Sequence, residues 1–76
     1  MPRYFMNLRY RDRLFADEEG DELLDDTAVR AHAIETARDL IANARVSAIR
    51  NWLDCTFEIT DDGGRLVLTM PFSQAI

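Results

Sequence analysis

At 76 residues, with 47% hydrophobic and 30% charged side chains, the chain has room for one domain, spanning residues 1–76, and its composition excludes disorder as a default. A net charge of −5 argues against a dominant nucleic-acid role, because such affinity comes mostly from neutralising phosphates. The lone cysteine, Cys55, excludes an intrachain disulfide and a cysteine-based zinc site.

Arg3 to Arg9 alternates as a half-buried strand does, with Tyr4, Met6 and Leu8 on one face and Phe5, Asn7 and Arg9 on the other. A tight connection around Tyr10-Arg11-Asp12 returns the chain into a short second strand, Arg13 to Ala16. That turn has no glycine, so periodicity leaves the register of the first hairpin open. Asp17 to Asp26 carries seven acids around Gly20 and reads as an ordered loop, with Leu23 and Leu24 tucked under the helix that follows.

That helix begins where Asp26 or Asp25 can accept hydrogen bonds from the first free amides, and both carboxylates suit the positive helix end. No glycine or proline interrupts the sequence from there to about Ala48. Ala33, Ile34, Ala37, Leu40, Ile41, Ala44 and Ala48 form one apolar stripe, and His32, Glu35, Asp39 and Asn43 lie opposite. An alanine-rich stripe lets the helix approach a sheet closely. Arg45 and Arg50 suit its negative end.

Beyond the helix, Cys55, Phe57 and Ile59 alternate with Thr56, Glu58 and Thr60 up to the turn signal Asp61-Asp62-Gly63-Gly64. Leu66, Leu68, Met70 and Phe72 then alternate with Val67, Thr69 and Pro71. A turn centred on Asp62-Gly63 pairs Thr60 with Arg65, Ile59 with Leu66, Phe57 with Leu68 and Cys55 with Met70, which gathers the large apolar side chains on one face. Pro71 donates no ladder hydrogen bond, so the strand ends there or lies at an edge.

The order is ββαββ and the class is α+β: an antiparallel sheet of two hairpins packed on one amphipathic helix. One helix covers one face. The other face then carries Phe5, Asn7, Arg9, Phe15, Glu58, Val67 and Thr69, a mixture apolar enough to invite a partner. A domain this small buries only about 60% of the surface its unfolded chain exposes. A homodimer, by sheet stacking or edge pairing, is therefore expected.

Few residues carry a chemical signature. The acidic stretch fails the EF-hand spacing: with Gly20 sixth, Phe15 takes the first ligand position and Asp26 the last. A solvated acidic loop is the better reading. His32 has no motif partner and falls on the polar helix side, so a solvated histidine ranks first. Cys55 points inward with Phe57 and Ile59, as a small core residue rather than a nucleophile. Gly63-Gly64 is a hairpin turn rather than a phosphate loop. No catalytic residue, metal ligand or cofactor-binding residue is assigned. Trp52 plugs the end of the core.

The candidate interaction surface is Arg3, Phe5, Asn7, Arg9, Arg11 and Arg13. Were the first strand to run on without turning, Arg9, Arg11 and Arg13 would project beside Phe5 and Asn7. Arginines among aromatics on an open sheet suit single-stranded nucleic acid. The net charge and the adjacent acidic stretch favour their neutralisation within the protein or across a dimer.

The start Met1-Pro2-Arg3-Tyr4-Phe5, the loop Asp17-Glu18-Glu19-Gly20-Asp21-Glu22-Leu23 and the close Thr69-Met70-Pro71-Phe72-Ser73 together resemble a family of short bacterial proteins of unknown function, abundant in rhizobia and their relatives. Those proteins open with Met-Pro-x-Tyr-Phe, follow with an Asp-x-Glu-Gly loop and an alanine- and arginine-rich helix, and close on a Pro-Phe-Ser strand. The resemblance spans nearly the whole chain and implies no activity, catalytic residue or cofactor. Similar proteins have an Asp-Gly turn in the first hairpin, where this chain has Tyr10-Arg11-Asp12. A weaker similarity, over Asp17 to Ala33, is to HicB-like antitoxin domains, in the order of hairpin, loop and alanine-rich helix; fold alone does not fix function.

The expectation is thus a non-enzymatic protein-interaction module, acting as a homodimer. The alternative is a nucleic-acid-binding or antitoxin-like regulatory protein using the arginines of the first hairpin. The opening residues have no apolar run of signal-peptide length, and no stretch approaches the roughly 20 apolar residues of a membrane span. The expected setting is the reducing cytoplasm, with no membrane partner.

Overall fold

The alternation that begins at Arg3 sets the frame of the molecule. The computed structural model, which describes residues 1–43 and 49–76, places strand β1 at Arg3–Tyr10, with its side chains alternately buried and half-buried. It is followed by β2 (Arg13–Phe15), β3 (Asp21–Glu22), helix α1 (Asp26–Asn43), β4 (Cys55–Asp61) and β5 (Leu66–Pro71). Two 3-10 turns complete the fold, η1 at Trp52–Asp54 and η2 at Phe72–Ala75. The class is α+β: one helix packed on an antiparallel sheet of five strands.

The strand order is β2-β1-β4-β5, with β3 also paired to β1. β1 is therefore central. β4 runs along its whole length, from Tyr4 opposite Asp61 to Tyr10 opposite Cys55. Its other edge is shared: β2 takes one end, with Leu8 opposite Phe15, and β3 the other, with Tyr4 opposite Asp21. The two-residue β3 lies inside the acidic stretch read as a loop, so the sheet has five strands where sequence reading counts four.

The first hairpin turns in two residues, Arg11 and Asp12, between paired Tyr10 and Arg13. Arg11 takes a φ of 57°, a left-handed conformation that favours glycine. The register also turns Phe15 to the same face as Leu8, where it packs against the core; the expectation that it lies on the outer face is corrected.

The second hairpin corrects a register. Ile59 pairs with Leu68 and Phe57 with Met70, not with Leu66 and Leu68. Two local departures add up to this shift. The turn takes three residues, with the Gly64 amide donating to the Asp61 carbonyl and Gly64 at a φ of 80°. A bulge then leaves Val67 as an extra residue between Leu66, opposite Thr60, and Leu68, opposite Ile59. A shift of two restores parity, so Leu68 and Met70 still face the helix. Leu66 does not: it is 56% exposed and shares the outer face with Thr60, while Val67 packs partly against the core.

The core lies between sheet and helix. Tyr4, Met6, Leu8 and Tyr10 of β1 meet Cys55, Phe57 and Ile59 of β4, and Met70 and Phe72 close it. From the helix come Val29, Ala33 and Ala37, all fully buried, with Ile34, Leu40 and Ile41 partly so. The stripe thus starts one turn earlier than the alanine pattern suggests. Asp25 caps the helix: its Oδ1 accepts from the Ala28 amide and its carbonyl from the Val29 amide. The expected continuation through Ala44 and Ala48, and Arg45 with it, lies outside the described residues. Phe72 stands between the Phe57 ring, 4.8 Å away, and the Trp52 ring, stacked at 6.2 Å, so Trp52 does close one end of the core. Of the paired leucines, Leu23 packs against the core and Leu24 is 70% exposed.

Candidate functional site

The outer sheet face is built by strand register. Phe5, Thr60 and Leu66 form one row across β1, β4 and β5; Asn7, Glu58 and Thr69 form the next; Leu14, Arg9, Thr56 and Pro71 form the third. The helix lies on the opposite face. Leu14 is 48% exposed and Leu66 56%, with Phe5 half-buried.

The arginines meet acids here. Arg9 donates through Nε to Glu58 Oε2 in a short contact that first, with the Glu58 charge second, pushes its guanidinium pKa further up. Arg3 donates to the Glu19 carbonyl and pairs with Glu22 at 3.2 Å. Arg11 lies over the Tyr10 ring, 4.0 Å from the Asp54 carboxylate. Arg13 pairs opposite Tyr10 and lies over the Phe15 ring, on the other side of the sheet from Arg9. The candidate surface is therefore divided. Arg3, Phe5, Asn7 and Arg9 share a face, Arg11 sits in the turn, and Arg13 is turned away.

One edge of that face is stitched by Asp17. Between the stretches of β1 paired with β2 and β3, the Met6 amide donates to Asp17 Oδ2 at 3.0 Å. Asp17 Oδ1 accepts from the amides of Glu19 and Gly20, both at 3.1 Å. The Asp17 amide donates to Asn7 Oδ1, and Asn7 Nδ2 donates to the Glu58 carbonyl and Thr60 Oγ1. Gly20, at a φ of 73°, brings its backbone against Arg3 and Phe5, where a Cβ would stand 2.9 Å from side-chain carbons. The acidic stretch is thus ordered by its first residue, whose carboxylate oxygens are both spent on backbone amides. Sequence reading does not find this role, because the contact with Met6 reaches back across 11 residues.

A second feature lies on the helix side. A cavity of about 380 Å³ opens between α1 and the β1–β2 corner. Its walls are apolar, with Met6, Leu8 and Phe57 from the sheet, Leu40 from the helix and Trp52 at one end. Among its described lining residues, Asp17, Asp21, His32 and Thr36 carry polar side chains. His32 Nε2 is 3.3 Å from Asp21 Oδ2. The expected solvated histidine is instead half-buried at this rim, and β3 is what brings Asp21 to it.

Cys55 is buried as expected, and burial, with a smaller contribution from the Asp54 charge, pushes its thiol from the ordinary 9.0 up to about 11. Such a thiol is un-ionised near neutrality and a poor nucleophile. Among the described residues no three His, Cys, Asp or Glu side chains group so as to hold a metal ion, and no helix is long and apolar enough to cross a membrane.

The molecule is thus a small α+β domain whose antiparallel sheet has one face under a helix and the other, among the described residues, without one. Over residues 3–73 it matches the family described as a domain of unknown function, DUF6894, and the chain belongs to that family. No curated protein and no solved structure matches it.

Proposed function

We propose that this protein is a non-enzymatic interaction module of the cytoplasm that works as a homodimer, joined through the outer faces of its two sheets. The observation that carries the reading is the outer face itself, where Leu14 and Leu66 are about half exposed beside half-buried Phe5. A second copy suits it because Arg9 and Glu58 lie side by side there. A two-fold axis between such pairs sets each arginine near the opposite glutamate, so the face is complementary to itself. Face stacking is preferred to edge pairing because β5, at the sheet edge, is interrupted by the Val67 bulge and ends in Pro71, both of which blunt strand addition. The likeness to short rhizobial proteins adds no activity to this reading.

Light scattering after size exclusion tests it. The expected mass is twice that of the chain at micromolar concentration, and Leu66→Arg, a change at an exposed position, shifts the mass to one chain while the far-ultraviolet circular dichroism stays unchanged. A wild-type monomer at several hundred micromolar overturns the proposal. Nucleic-acid binding has less support, because Arg3, Arg9 and Arg11 are each set against a carboxylate. It predicts a salt-dependent complex with RNA or DNA, whereas the dimer reading expects none even at low salt.

A further inference from the structure

The space between α1 and the β1–β2 corner is a cleft open to solvent, lined by both sheet and helix. At about 380 Å³ it falls in the range of small-ligand sites, which are mostly apolar with a few convergent polar groups. The helix contributes His32, Thr36 and Leu40, successive turns of one side, so the wall grades from polar rim to apolar floor. Trp52, half-buried, and Phe57, 3% exposed, both line the cleft.

The charges at the rim are two carboxylates, with the Arg13 guanidinium set over the ring of Phe15, another lining residue. Asp17 and Asp21 both line the cavity, and no arginine is among its described lining residues. The Asp17 oxygens are held by backbone amides, so its charge acts on the cavity at a distance. Asp21 differs: its side chain is 48% exposed and has His32 on one oxygen, leaving room for a second donor. An apolar body would replace water against the half-buried Phe15, Leu40 and Trp52, while a cationic head would meet the Asp21 carboxylate beside the His32 ring. An anionic head at the same place would face two carboxylates.

We propose that this cavity is a binding site for a small organic amine, with an aromatic or alkyl body against Trp52 and Leu40 and its ammonium group on Asp21. The site lies on the helix side of the sheet and is independent of the outer-face dimer, so either proposal can fail alone.

The test uses three probes of one shape: 4-phenylbutylamine, 4-phenylbutanol and 4-phenylbutyrate. Trp52, the only tryptophan, reports binding by fluorescence, and amide chemical shifts locate it. The amine is expected to bind at least tenfold more tightly than the alcohol, and the carboxylate more weakly than either, with shifts at Leu8, Thr36 and Trp52. Asp21→Asn, at a half-exposed position, should lower amine affinity about tenfold, to the level of the alcohol, and leave the alcohol unchanged. Thr36→Leu, which fills the cavity from the helix side, should weaken all three. No saturable response to the amine at millimolar concentration overturns the proposal, as does carboxylate binding as tight as that of the amine or shifts confined to the outer sheet face.

Discussion

Two turns in this molecule use the same four-residue device in opposite surroundings. In Asp17-Glu18-Glu19-Gly20 and in Asp61-Asp62-Gly63-Gly64, the aspartate Oδ1 accepts from the amide two residues on, and a glycine with positive φ stands three residues on. The difference lies in what each touches. Gly20 is pressed against Arg3 and Phe5, whereas nothing lies within 4 Å of where a Gly64 Cβ would stand. Asp17 reaches out of its turn to the Met6 amide in β1; Asp61 spends its Oδ1 on Gly63 and Arg65 of its own turn. One turn is a joint of the tertiary structure and the other closes a hairpin. Local sequence alone does not separate them.

The comparison can be broken most sharply at the glycines. Gly20→Ala adds a close contact with Arg3 and Phe5 to the strain of a left-handed alanine, and should cost about 3 kcal/mol in urea unfolding. Gly64→Ala carries the backbone strain only, about 1 kcal/mol. Equal losses would refute the difference drawn between the two turns. Next come the aspartates. Asp17→Ala leaves the amides of Met6, Glu19 and Gly20 without their acceptor and should cost roughly 2 kcal/mol, against under about 1 kcal/mol for Asp61→Ala at an exposed turn. Asp17→Asn sharpens this, because the amide can keep the bonds of its own turn while losing the one to Met6; protection of the Met6 amide from hydrogen exchange should fall selectively. The smallest effect is at the third turn, where Arg11 adopts a φ of 57°. Arg11→Gly relieves that strain, loses surface contacts with Asp54 and the Tyr10 ring, and should raise stability by about 0.5 kcal/mol, read as a higher urea midpoint.

What could be read from the sequence follows from the range of the forces involved. The alternation of β1, Tyr4-Met6-Leu8 against Phe5-Asn7-Arg9, is written residue by residue, as is the inward side of Cys55, Phe57 and Ile59; the helix cap is legible only as Asp26 or Asp25, and it is Asp25 that takes it. The β5 register escaped because the turn length and the Val67 bulge each move it by one, and alternating side chains look the same after two such moves. The face of Phe15 is not legible for a related reason: without a glycine, nothing in Tyr10-Arg11-Asp12 declares a two-residue turn. Asp17 with Asn7 and Asp21 with His32 were hidden for another reason. Each joins residues 10 or 11 positions apart, beyond the reach of strand alternation or a single turn, and acids look alike in composition whether solvated or holding a backbone in place.

The placement of β1 has a kinetic consequence. Its longest ladder is with β4, from Tyr4–Asp61 to Tyr10–Cys55, so the central strand cannot be completed until distant parts of the chain have met. Closing so large a loop costs entropy before any of that ladder repays it, which places this domain among slower folders for its length. Until then one side of β1 is an open template for other chains. The short strand β2 and the Asp17 clasp, both near in sequence, can shield only its other side, and the earliest intermediates should therefore be the most prone to aggregate.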